Sequence, residues 1–70
     1  MKRSESKKYK KEVRLLVIDG AYLLEAGEPK CFPNKKAVYS YLEATGVNVV
    51  KNRNVFKDNG HVYHIMFDWI

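Results

Sequence analysis

His61 and His64 stand three residues apart, close enough in sequence for two imidazoles to share one metal ion. The run around them, His61-Val62-Tyr63-His64-Ile65-Met66-Phe67, alternates as a strand does, and strand residues three apart face opposite ways. The two rings are therefore not expected to chelate together, and no metal site or cofactor is expected. Cys31 is the one cysteine, so no intramolecular disulfide forms. It is expected as a small apolar filler with an inert thiol. Nucleophilic chemistry lacks its parts as well. The serines fall at 4, 6 and 40 with no histidine placed locally to activate them. There is no glycine-rich phosphate loop, no GxSxG and no repeated acidic signature. The chain reads as a binding protein with no catalytic residues.

Binding then turns on where the charge lies. The net charge is +5 over 70 residues, but residues 1–12 alone hold six basic side chains against Glu5 and Glu12. Residues 13–70 hold seven basic against six acidic, so the basicity belongs mostly to the leading segment. Residues 1–11 are expected to be a flexible basic tail on a single small domain spanning 12–70. The longest apolar run, Leu15 to Ile18, is four residues, far below the ~20 of a membrane helix. With a charged leading segment, no secretory leader is expected. A reducing, cytoplasmic setting with no membrane contact is the expectation.

Two dipeptides set the elements. Asp19-Gly20 and Asn59-Gly60 both favour the two-residue type I′ turn, which needs positive φ at both positions. The first predicts a hairpin pairing Ile18 with Ala21, Val17 with Tyr22, Leu16 with Leu23, Leu15 with Leu24 and Arg14 with Glu25. The second predicts a hairpin pairing Phe56 with Tyr63, Asn54 with Ile65, Asn52 with Phe67, Lys51 with Asp68 and Val50 with Trp69. Between them, Gly27-Glu28-Pro29 is turn material and Cys31-Phe32 is either a short strand or the lead-in to a helix. Apolar positions 37, 38, 41, 42, 44 and 45 then recur at helical spacing. They predict an amphipathic helix over 35–45, with Asn34 as N-cap and Gly46 ending it. Lys36, Tyr39, Ser40 and Glu43 fall on its outer face. The fold class is α+β, ββαββ: two β-hairpins forming a four-stranded antiparallel sheet with one helix packed on one face.

One helix leaves the other sheet face open. In the predicted register, Val50, Phe56, Tyr63, Ile65, Phe67 and Trp69 look inward. Lys51, Arg53, Lys57 and His64 look outward, beside Leu16, Ile18 and Leu23 from the first hairpin. An exposed apolar cluster of that kind marks an interface. Lys35 and Lys36 crowd the helix N-terminus, where positive charge opposes the macrodipole and an anion would relieve it.

Two resemblances attach to this pattern. Leu15-Leu16-Val17-Ile18-Asp19-Gly20-Ala21-Tyr22-Leu23-Leu24 resembles the opening strand of PIN-like and 5′-nuclease domains, where an Asp closing the first strand helps bind metal. That family's larger α/β fold needs further acidic ligands and more chain than is present. Phe32-Pro33-Asn34-Lys35-Lys36-Ala37 through Leu42 is similar to the ββα layout of small DNA-binding modules attached to homing endonucleases and integrases. The likeness implies nucleic-acid contact without assigning residue roles.

The leading reading is a small non-enzymatic module that contacts nucleic acid. Lys7, Lys8, Lys10 and Lys11 of the tail would attract phosphates, as would Lys35 and Lys36. Lys51, Arg53 and Lys57 would position the domain, and His64 or Tyr39 would meet bases. The alternative is a protein partner: a small phage-type inhibitor or adaptor binding a host protein through its sheet face or edge strand. A structural homodimer burying Leu16, Ile18 and Leu23, with Tyr39 at the interface, is the third.

Overall fold

The computed structural model describes residues 11–70. The expected tail contacts at Lys7, Lys8 and Lys10 lie outside the described residues. The elements run β1 (Glu12–Ile18), β2 (Ala21–Tyr22), β3 (Leu24–Glu25), β4 (Glu28–Pro29), β5 (Cys31–Phe32), α1 (Lys35–Ala44), β6 (Val55–Asp58) and β7 (His61–Trp69). The architecture is α+β: one helix on an antiparallel sheet of five strands, with β3 and β4 forming a separate two-stranded ribbon.

β1 is central, and its longest pairing is with β7, from Glu12 opposite Trp69 to Ile18 opposite Tyr63. Its other edge is shared by β2, at Val17 and Ile18, and β5, at Arg14 and Leu15. β6 pairs with β7 and forms the far edge. This departs from ββαββ in one respect with a clear cause. The first hairpin follows its expected register only through the Leu23 N–H donating to the Leu16 carbonyl at 2.8 Å. The chain then buds outward as β3–β4 around Ala26-Gly27, whose φ angles of 56° and 84° match the positive-φ pattern of a type I′ turn. It returns so that Cys31, not Leu24, lies opposite Leu15, and Phe32, not Glu25, lies opposite Arg14. Glu25 instead pairs with Lys30 at 3.2 Å, and Arg14 with Glu12 at 2.7 Å.

Both signalled turns form, with φ of 53° and 85° at Asp19-Gly20 and 51° and 82° at Asn59-Gly60. The second hairpin keeps the expected register from Asp58 opposite His61 to Val55 opposite His64, and Ile65 N–H donates to Asn54. Beyond Asn54 it ends. Residues 47–54 are irregular rather than strand, so the expected pairings of Asn52, Lys51 and Val50 with β7 do not form. β1 holds one edge of β7 throughout, and the other edge is left without β6 from Met66 to Trp69, because β6 leaves the sheet where the loop must drop towards α1. That loop is pinned by the Tyr39 hydroxyl, which donates to the Lys51 carbonyl at 2.8 Å.

The helix starts and stops as its sequence dictates. The Asn34 side chain accepts from Ala37 N–H at 2.8 Å. At the other end Gly46 adopts φ 90°, Gly46 N–H donates to Glu43 and Val47 N–H to Leu42. This double closure is a Schellman motif, and it carries Val47 onto the core beside Leu42. The core lies between α1 and one sheet face: Leu16, Phe32, Val38, Tyr39, Leu42, Phe56, Tyr63 and Ile65. Leu16, Val38 and Leu42 are fully buried, each burial contributing about 1.5–3 kcal/mol.

Candidate nucleic-acid interface

Four expected contact residues belong to the core or its margin. Leu16 faces α1 because it lies opposite Ile65, and directly opposed residues share a face. Ile18 and Leu23 pack against the same cluster. The first hairpin is therefore turned over relative to the expected arrangement, and the side away from α1 receives Val13, Leu15 and Val17 instead. Tyr39, expected outside, is buried: its ring joins the core while its hydroxyl caps the Lys51 carbonyl.

The expected basic residues do not converge. Lys51 lies on the helix side, its ammonium 3.2 Å from Glu43 of α1. Arg53 is exposed in the 47–54 loop. Lys57, paired with Val62, and His64, paired with Val55 and Val17, sit on the sheet face away from α1. Lys35 and Lys36 remain at the helix N-terminus, with the Lys35 ammonium 6.0 Å from the Tyr39 ring centre. These positions are spread over three surfaces, so no single footprint collects them. Cys31 is exposed rather than a filler, its thiol 3.6 Å from the Pro29 carbonyl.

His61 and His64 do face opposite ways on β7. His61 Nδ1 lies 2.7 Å from Asp19 Oδ2, while Asp19 Oδ1 accepts from Val62 N–H at 2.8 Å. Both carboxylate oxygens of Asp19 are thus engaged in tying the two hairpin tips together. The Val62 N–H first, and then the hydrogen bond to His61, hold this carboxyl below its usual 3.8. Among the described residues, no three His, Cys, Asp or Glu side chains group closely enough to hold a metal ion. No helix there is long and apolar enough to cross a membrane.

What the fold does bring together lies at the opposite end of the β1–β7 ribbon. Phe67 and Trp69 share the helix-side face but are 50% and 51% exposed. The reason is length. Nine strand residues span about 30 Å, whereas ten helical residues span about 15 Å, so α1 cannot roof all of β7. The two rings meet edge to face, with centres 5.1 Å apart. Arg14, opposite Phe67 on β1, lays its guanidinium 4.9 Å from the Phe67 ring centre and is held there by Glu12. One residue further, Lys11 and Ile70 exchange two backbone hydrogen bonds, of 2.8 and 3.0 Å. Lys11, the last residue of the basic leading segment, thus joins the sheet one step along the ladder from Trp69. Sequence reasoning placed Phe67 and Trp69 in the core on parity alone. Comparing the lengths of strand and helix would have exposed them.

The chain matches no family model, no curated protein and no solved structure.

Proposed function

We propose that this chain is a small non-enzymatic module that binds nucleic acid in a reducing, cytoplasmic setting. Residues 1–11 supply phosphate attraction, and the end of the sheet carrying Arg14, Phe67 and Trp69 supplies the contact surface. The observation that supports this most is the pairing of Lys11 with Ile70, which joins six basic side chains in sequence to a patch of exposed aromatic residues. Glu12 offsets Arg14 locally, so the long-range attraction comes from the leading segment rather than from the sheet.

The test is fluorescence anisotropy of the full-length protein with a labelled oligonucleotide. If about six phosphates are neutralised, raising salt from about 50 to about 200 mM lowers affinity on the order of 10³-fold. Replacing Lys7, Lys8 and Lys10 with Gln roughly halves the slope of log affinity against log salt. Binding that ignores salt, or no binding at low salt, removes the reading.

A second reading, a protein partner or a second copy, is favoured by a separate observation. The sheet face away from α1 carries half-buried Val17, Val62 and Met66 with exposed Tyr22 and Val55. Adjacent apolar side chains of this kind on a face without a helix suit docking.

A further inference from the structure

We infer that the nucleic acid this module takes is single-stranded, with an unstacked base lying against Trp69 and Phe67 while the positive charge of residues 1–11 attracts its phosphates. This rests on the nucleic-acid reading above and narrows it. In a duplex the π-faces of the bases are covered by their neighbours, and only edges and phosphates are offered. A protein that reads a duplex presents polar side chains on a helix or ribbon fitted to a groove. The end of this sheet presents the reverse: two half-exposed aromatic rings and one guanidinium already neutralised by Glu12. Such a surface has little with which to read base edges and much with which to stack. Stacking platforms beside a cationic track are the common solution for single strands, because every base has a π-face.

Charge complementarity supplies the other half. Residues 1–11 carry Lys2, Arg3, Lys7, Lys8, Lys10 and Lys11 against Glu5 alone. Lys11 lies antiparallel to Ile70, one step along the ladder from Trp69, with its side chain on the opposite sheet face. Phe67, braced beneath Arg14, fixes the indole by its edge-to-face contact rather than leaving it to rotate.

The experiment uses the full-length protein with a labelled single strand of about twelve nucleotides and a duplex of the same length. Trp69 is the sole tryptophan, so its own fluorescence reports what touches it. Preferential binding of the single strand with quenching of Trp69 is expected. Trp69→Ala lowers single-strand affinity about 5- to 100-fold, Phe67→Ala acts in the same direction, and Trp69→Phe, which keeps a ring, recovers most of the loss. Circular dichroism confirms that each variant keeps its fold. Equal binding of duplex and single strand with unchanged Trp69 fluorescence overturns this inference and leaves the broader one standing. No binding of either overturns both. A sedimentation mass twice the monomer's that reverts with Trp69→Ala assigns the rings to a second copy and overturns it too.

Discussion

Asp19 does three things with one residue. It takes the left-handed backbone of its turn, donates its N–H to the Val62 carbonyl, and uses both carboxylate oxygens on Val62 and His61. Asp58, paired with His61 in the β6–β7 register, is a further carboxylate at this tip. Because the native Asp19 carboxyl titrates below its usual 3.8, its stabilising contribution is complete above that pH and is lost as pH falls through the native value. Asp19→Asn is therefore expected to lower the melting temperature at pH 7, with the gap to the parent protein closing below pH 3.8 as the parent's own carboxylate is protonated. A gap that stays constant from pH 7 to well below 3.8 would refute the charge-based account. The turn at Asp19-Gly20 was legible because its residue types tolerate positive φ. The clamp was not, since Asp19 and His61 stand 42 residues apart and only the β1–β7 register brings them together.

At the scale of elements, legibility followed the range of the interaction. Asn34, the apolar spacing of 37–42 and Gly46 are local signals, and α1 begins at the expected residue and ends within one of it. The β3–β4 detour escaped notice because Ala26 gives no sign of a left-handed turn. An alanine at φ 56° bears a cost that asparagine tolerates better. Ala26→Asn is expected to raise stability by about 1 kcal/mol, read as a higher denaturation midpoint at unchanged slope. A neutral or destabilising result would mean that the detour does not hold its type I′ geometry in solution. The second hairpin was half legible. Its turn fixed Val55 to Asp58 against β7, but nothing local says that the loop must leave the sheet at Asn54 for Tyr39 to catch the Lys51 carbonyl.

For the whole molecule, one helix serves one side of a sheet whose centre is built from the first and last described strands. That pairing decides which residues of β1 enter the core, and a one-residue change of parity moves a whole strand's side chains across the sheet. Leu16 thereby became core, and Val13 and Leu15 lie buried on the other side, outside the main cluster. If that side receives a second copy, sedimentation velocity should give a mass twice the monomer's, and Val55→Glu should return it to one by placing a charge on each half of a two-fold contact. A monomer at all accessible concentrations would discard self-association and leave a different protein as the occupant. Because Val55 is distant in register from Trp69, this substitution should leave oligonucleotide affinity unchanged.

The exchange of hydrogen bonds between Lys11 and Ile70 also fixes how the molecule responds to force. The two strands at the centre of the sheet run antiparallel, so that Lys11 and Ile70 lie at the same end of the pair. A load drawing those two residues apart meets the hydrogen-bonded rungs in succession, Lys11–Ile70, then Val13–Asp68, then Leu15–Met66, each bearing the tension alone. The sheet should peel open like a zipper at low tension, and the aromatic end parts before the helix-covered core feels any strain.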